Sequence, residues 1–172
     1  MTAPARPVVP RTEAELVEDL VRLLRARWPV RALGAEVRSH GRCRTDVCAL
    51  LRDAGVAEPV LVGVEAKLSD WSRAVAQAAM NRYAVDVSYV AMPVTRTSGG
   101  LLEEAARHGV GVLSVGPRRL EVALPATVNT PDPVLRERVL AQLALIHPQG
   151  RDLAGELARH AQNAVRAGQG AA

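Results

Sequence analysis

The stretch VLVGVEAK, residues 60–67, decides the fold, because it is apolar through Val64 and then ends in charge. An apolar run of this length that follows a turn-rich connection is typical of a strand buried on both faces. It is therefore predicted to be a central strand. Glu65 and Lys67 lie two residues apart at its end, so both side chains are expected to project from the same face.

Lys67 is the only lysine in the chain, since Arg occupies every other one of the 22 Lys and Arg positions. An ammonium is a compact charge that fits beside a metal-bound water, whereas a guanidinium is planar, bulky and permanently protonated. Compositional accident explains a single lysine equally well when position 67 is taken alone. The neighbouring residues must therefore decide between the two readings.

Composition restricts the class of protein. At 172 residues the chain can form one domain with a core and a terminal appendage. The 48% hydrophobic and 23% charged residues exclude disorder throughout, and the net charge of +4 is compatible with a polyanionic partner. Closely spaced Cys43 and Cys48, no secretory leader and no long apolar run predict a soluble cytoplasmic protein with no membrane partner.

Helices and strands alternate along the chain. The first helix begins with a capping box, Thr12 and Glu15, and ends where Pro29 forbids continuation. The elements that follow are strands at 35–39, 44–51 and 60–67, a helix from Ser69 or Asp70, a strand at 87–93, a helix at 98–108 closed by Gly109, and strands at 109–115 and 118–125. This order predicts an α/β sandwich with a mixed central sheet flanked by helices.

The two ends of the chain differ from this pattern. Residues 1–11 carry three prolines and are expected to form a disordered arm before a domain at 12–125. Residues 126–172 are predicted to be a C-terminal helical extension, with an amphipathic helix at about 131–148 and a weaker one after it. The first of these helices is expected to pack on the domain or to pair with a second copy, which makes a homodimer possible.

Asp46, on the predicted strand before the one that carries Glu65, makes a simple ion pair a less complete explanation of the charge on Glu65. Burying a carboxylate or an ammonium costs several kcal/mol unless the group is paired or bound to a metal. A structural ion pair between Glu65 and Lys67 would be enough, but Asp46, inside another hydrophobic segment, would repel Glu65 unless a cation sat between them. Two carboxylates from adjacent strands and one lysine are what metal-assisted phosphodiester hydrolysis requires, with Mg²⁺ as the preferred ion.

The residues TD at 45–46 followed by EAK at 65–67 resemble the PD-(D/E)XK motif of the restriction endonuclease-like nuclease superfamily. The resemblance covers residues 12–125, and Thr45 stands where the name-giving proline would be. It implies a core of helix, three strands, helix and strand (αβββαβ), and a DNA substrate. It also implies that Asp46 and Glu65 hold Mg²⁺, with Mn²⁺ possible, that the Ala66 backbone carbonyl adds a ligand, and that Lys67 is catalytic.

Members of this superfamily often add an acid from the first helix and a polar residue from the helix after the lysine. The resemblance assigns these roles to Glu13 and Gln77. A first-turn acid is also favoured by the helix dipole alone, so Glu13 has a second explanation. The Gln-x-x-x-Tyr pattern of the exonuclease subgroup is not matched, because Tyr83 comes six residues after Gln77.

Basic residues near the proposed site are Arg42, Arg44 and Arg73. They are candidates for contacts with DNA phosphates, although each also suits a solvated surface position. A zinc site formed by His40, Cys43 and Cys48 is not favoured, because the three are loosely spaced and lack a fourth partner. Cys48 is instead predicted to be a small core residue.

The leading prediction is a Mg²⁺-dependent endonuclease that cuts DNA at a phosphodiester bond. One alternative is a nuclease-like fold that has lost hydrolysis and binds nucleic acid or a protein partner. Another is an ordinary α/β interaction protein in which Glu65 and Lys67 form a structural pair.

Overall fold

A computed structural model describes residue 10 and residues 12–40, 43–52 and 58–146. The helices are α1 (Glu13–Arg27), α2 (Trp71–Asn81), α3 (Gly99–Arg107) and α4 (Pro133–Ile146), with a short 3-10 turn at Val94–Arg96. The strands are β1 (Val30–His40), β2 (Cys43–Leu51), β3 (Val60–Ala66), β4 (Val87–Pro93), β5 (Gly111–Val115) and β6 (Leu120–Leu124). None of the helices described is long and apolar enough to cross a bilayer.

The six strands form one mixed sheet in which spatial order follows chain order, β1 to β6. The first three strands are an antiparallel meander, and β3, β4 and β5 are parallel to one another. A final antiparallel strand, β6, pairs with β5. Parallel neighbours need crossover connections, which α2 and α3 supply on one face of the sheet. The predicted mixed α/β sheet flanked by helices is confirmed.

Helix α1 covers the other face. Thr12 caps it by accepting a hydrogen bond from the Glu15 backbone N–H, and Leu16, Leu20 and Leu24 are fully buried. They pack on the alternate residues of β2 and β3 that point to this side. The same packing sets the direction of the side chains at the end of β3. Ala66 lies on the α1 side, so the side chain of its neighbour Glu65 points to the α2 side.

The strand β1 is longer than the short strand predicted at 35–39. It begins at Val30, directly after Pro29 ends the approach from α1, and runs for 11 residues. Glu36 adopts a positive φ of 50°. On its two sides, Ala32 and Val37 pack in the same core cluster although they lie five positions apart in the chain. A regular strand would place these two residues on opposite faces, so the irregularity at Glu36 masked the alternation that identifies strands.

Helix α4 packs on the same face as α2, over β1 and β2. Val139, Leu140 and Leu143 are buried against this end of the sheet. Arg136 ties the helix to the sheet through two hydrogen bonds to the Asp86 carboxylate, of 2.8 and 2.9 Å. The apolar face that suggested a homodimer therefore contacts the chain's own sheet, and a homodimer stays a prediction.

Some sequence predictions fall outside the described residues. These are the disordered arm at 1–11, of which only residue 10 is described, most of the turn-rich connection before residue 60, and the weaker helix after residue 150.

Gly111 in β5 provides a test of this packing. A Cβ there would lie 2.7 Å from the Ala126 backbone nitrogen and would overlap the Tyr89 ring. We expect Gly111→Ala to lower the free energy of unfolding by about 1–3 kcal/mol, measured by urea denaturation, because a close-packed site cannot absorb a methyl group. Gly99→Ala is the matched control, since a Cβ at position 99 meets nothing within 4 Å. Equal losses in the two variants would contradict the packing described for β5.

Candidate functional site

Glu65 is buried at the end of β3, with only 1% of its surface exposed. Its side chain points toward α2, where its Oε1 accepts a hydrogen bond of 2.6 Å from the Asn81 side-chain amide. On both sides of it along the strand, Val64 and Ala66 pack in the apolar core under α1. A carboxylate is thus held in a largely apolar layer by the geometry of a central strand.

Asp46 joins Glu65 from the neighbouring strand. Its Oδ2 accepts a hydrogen bond of 2.8 Å from the Ala66 backbone N–H. This bond links β2 to β3 beyond the end of their backbone ladder, whose last pair is Val47 with Val64. The two carboxyl groups lie close enough for the charge of Asp46 to act on Glu65. The structure therefore brings together the two acids that the motif pairs.

This proximity changes the titration of Glu65. Burial, followed by the negative charge of Asp46, raises the pKa of Glu65 to about 8, while the Asn81 amide and the Lys67 ammonium act in the opposite direction. Near neutral pH the carboxyl group is therefore held largely in its protonated form. A cation placed between the two acids would favour the loss of that proton.

Lys67 follows the end of β3 and its ammonium contacts α1. Its Nζ donates a hydrogen bond of 2.8 Å to Glu13 Oε2. Partial burial lowers the pKa of Lys67, but the hydrogen bond and charge of Glu13, with the charges of Asp46 and Glu65, outweigh it and raise the pKa overall. Lys67 is therefore a protonated ammonium surrounded by carboxylates.

The expectation that Glu65 and Lys67 project from one face needs correction. β3 ends at Ala66, so the alternation of a strand does not extend to Lys67. Glu65 bonds to α2, whereas Lys67 bonds to Glu13 on α1, which packs on the opposite face. A structural pair made of Glu65 and Lys67 alone does not describe this arrangement, since the ammonium is hydrogen-bonded to Glu13.

Asn81 belongs to the site, and the sequence analysis missed it. The residue is 2% exposed, and its side-chain oxygen also lies 3.4 Å from the Ser39 hydroxyl of β1. The pattern that could have found it is the spacing of Arg73, Gln77 and Asn81, which repeats every four residues along α2. Three polar residues in one row of a helix that otherwise buries alanine and valine indicate a polar target beneath it.

The other predicted residues lie around Glu65. Gln77 lines a cavity that reaches Glu65, and its Oε1 is buried without a hydrogen-bond partner among the residues described. Arg44 and Arg73 are exposed and line the same cavity, and Arg44 forms an ion pair of 3.1 Å with Glu36. Arg42 lies outside the described residues.

The part of the chain that the structure describes contains no group of three or more His, Cys, Asp or Glu side chains able to hold a metal ion. Asp46 and Glu65 supply two carboxyl groups, which is fewer than such a group needs. Cys43 is exposed and Cys48 is buried, as predicted for a core residue, while the His40 side chain is not described. Burial raises the pKa of the Cys48 thiol to about 12, so it stays protonated.

Comparisons with known proteins bear on the fold. No family model and no curated protein matches the chain. One similar solved structure is a protein of unknown function from Silicibacter pomeroyi, with a TM-score of 0.57 and 20% sequence identity. The match covers 90% of this chain and 91% of that one. At this identity the likeness extends to the α/β fold alone.

The raised pKa of Glu65 predicts a pH dependence of stability. The folded protein binds a proton at Glu65 more tightly than the unfolded chain does, so this stabilising contribution is fully present below about pH 4.5 and is lost as pH rises through about 8. Between these values the free energy of unfolding should fall by up to about 1.4 kcal/mol per pH unit. We expect Glu65→Gln, which stays neutral, to gain stability relative to the wild type as pH rises, measured by urea denaturation across this range.

The matched control is Glu58→Gln. Glu58 is exposed and lies before the opposite end of β3 from Glu65. Its stability difference from the wild type should stay constant with pH. A constant difference for Glu65→Gln as well would show that Glu65 titrates normally in the folded protein.

Proposed function

We propose that the chain is a Mg²⁺-dependent deoxyribonuclease with a restriction endonuclease-like core, which hydrolyses DNA phosphodiester bonds and acts as an endonuclease. The observation that carries the proposal is the proximity of Asp46 on β2 to Glu65 and Lys67 at the end of β3. The resemblance of the sequence to the PD-(D/E)XK motif assigns roles to the same three residues. Two independent considerations therefore converge on one small group of side chains.

The order of elements supports the same proposal. Helix α1, the meander β1–β2–β3, helix α2 and strand β4 follow one another in the order that the resemblance implies. Strands β5 and β6 extend the sheet beyond β4, helix α3 packs beside α2, and helix α4 packs over β1 and β2.

The side chains present fit a divalent cation. Glu13, Asp46 and Glu65 supply three carboxyl groups against the single ammonium of Lys67, so the site favours an added positive charge. Asp46 and Glu65 would hold the ion, with the Ala66 carbonyl as a further ligand. Mg²⁺ binds through one or two carboxylates and keeps several waters, which suits a site with few protein ligands. A bound Mg²⁺ would supply Lewis-acid polarisation of a phosphoryl oxygen.

Lys67 acts as a positive charge and hydrogen-bond donor in this proposal. Because its pKa is raised, it stays protonated at neutral pH and is not a general base. Its ammonium would orient the attacking water and stabilise the negative charge that develops on the phosphoryl group. Glu13 holds the ammonium at 2.8 Å and so positions it at the end of β3.

The alternative is a nuclease-like module that binds nucleic acid or a protein and does not hydrolyse DNA. Two observations favour it: Lys67 is already engaged by Glu13, and the described residues contain no three-ligand metal group. Metal binding and DNA cleavage, measured separately, distinguish the two functions.

The test uses supercoiled, linear and branched DNA with and without Mg²⁺ or Mn²⁺. We expect metal-dependent cleavage by the wild type, and a loss of about 10²-fold or more in Lys67→Ala and in Asp46→Asn, because each removes a group that stabilises developing charge or holds the ion. Mn²⁺ binding, followed by electron paramagnetic resonance, should weaken in Asp46→Asn and persist in Lys67→Ala.

Glu18→Gln is the control, since it removes one exposed carboxylate from α1 away from the buried face of that helix. It should cleave DNA as the wild type does. Undiminished cleavage by Lys67→Ala or Asp46→Asn would contradict the mechanism. Wild-type binding of DNA without cleavage of any substrate would favour the binding module.

A further inference from the structure

A cavity of about 480 Å³ opens beside Glu65 on the α2 side of the sheet. Its size lies within the range of about 300–1,000 Å³ that is usual for small-molecule sites. It is lined by Cys43, Arg44, Glu65, Arg73, Ala76 and Gln77, with Met80 and Asn81 completing the wall. Because Glu65 is part of the lining, the cavity reaches one of the two paired carboxyl groups directly.

One side of the cavity is apolar. Ala76 is exposed, and Met80 is 47% exposed although it is a large hydrophobic residue. A methionine side chain is flexible and polarizable and makes favourable contacts with aromatic rings. This wall is suited to the flat face of an aromatic ligand such as a nucleobase.

Gln77 adds a polar group that lacks a partner. Its Oε1 is buried and accepts no hydrogen bond from the residues described. A buried acceptor without a donor lowers stability, and a ligand N–H would supply the missing hydrogen bond. The Asn81 amide differs, since it is already engaged with Glu65. Gln77 is therefore the lining amide that can accept a hydrogen bond from the exocyclic amino group or ring N–H of a base.

Positive charge lies beside the apolar wall. Arg73 projects from the first turn of α2 and takes part in no ion pair within the described parts of the chain. Arg44 pairs with Glu36, but both side chains are more than half exposed, so this contact is weak and can be exchanged for a phosphate. A ligand with a flat apolar body and an anionic group matches both parts of the cavity.

We propose that this cavity binds one unstacked nucleotide of a DNA strand, next to the phosphodiester bond that lies at the ion held by Asp46 and Glu65 in the proposed function. The inference rests on the proposed nuclease function and narrows its substrate to DNA that can present an unpaired nucleotide, such as a single strand or a branch point. Met80 contacts the base, Gln77 accepts its hydrogen bond, and Arg44 and Arg73 contact the adjoining phosphates. Unstacking a base costs a few kcal/mol in a duplex and least in a strand that is already single.

The cysteines provide a direct reporter. Cys43 is exposed and lines the cavity, whereas Cys48 is buried, so alkylation of the native protein by iodoacetamide measures access to Cys43. We expect saturating deoxynucleoside 5′-monophosphates to slow this alkylation by about tenfold or more. Deoxyribose 5-phosphate, which lacks the base, should protect much less. Equal protection by the two compounds would show a phosphate site and overturn the inference.

Variants connect the protection to the cavity. Ala76→Trp should fill it, and Gln77→Leu should remove its acceptor, so both should abolish protection of Cys43 and reduce cleavage of single-stranded DNA. Ser72→Trp is the matched control, because Ser72 is exposed on the same helix and does not line the cavity. Protection that survives both cavity variants, with circular dichroism showing that they are folded, would overturn the inference.

The experiments distinguish a failure of nucleotide binding in the cavity from a failure of the proposed DNA hydrolysis. Metal-dependent cleavage by the wild type without any protection of Cys43 would overturn the nucleotide cavity and leave the proposed function standing. Protection of Cys43 without cleavage would support the cavity and overturn the proposed hydrolysis. Preferential cleavage of fully paired linear duplex over single-stranded and branched DNA would contradict the substrate class.

Discussion

The burial of the Glu65 carboxyl group beside Asp46 is the constraint on which the site depends. An ionised carboxylate in an apolar layer costs several kcal/mol, and a second carboxylate next to it adds to that cost. The chain offsets the cost with a proton on Glu65, the Asn81 amide and the Lys67 ammonium. These groups come from α2 and from the end of β3, while Asp46 comes from β2, so the position of each element affects the charge at the site.

Stability alone does not explain such an arrangement. Replacing buried charged groups by apolar residues of similar volume is often neutral or stabilising. Leu61, which lies on the same side of β3 as Glu65, is fully buried in an apolar cluster, so an apolar residue at position 65 would suit this side of the strand. Ionisable side chains that are buried where an apolar residue would pack are found at functional sites more often than at purely structural ones. The excess of carboxyl groups over ammonium groups is the reason that we propose a cationic ligand, and the adjoining cavity is the reason that we propose a nucleotide beside it.

Much of the fold was predictable because its determinants are local. The Thr12 cap, the Asp70 cap of α2 and the Gly109 terminus of α3, with its positive φ of 64°, are short-range features that a sequence displays directly. β1 was underestimated because the irregularity at Glu36 breaks its alternation. In the site, the pairing of Asp46 with Glu65 followed from their positions on adjacent strands. The role of Asn81 was missed because the row it forms with Gln77 becomes meaningful only once a buried acid is known to lie beneath α2.

By itself, the sequence determined the element order, the central position of β3 and the identity of the charged residues at its end, because periodicity and capping depend on neighbours in the chain. Only the tertiary structure decided that Lys67 contacts Glu13 and that α4 covers β1 and β2. Those contacts join residues far apart in sequence, and their geometry depends on which face of the sheet each helix covers. A side chain beyond the last residue of a strand can turn to either face, so its partner is chosen by packing and charge in three dimensions.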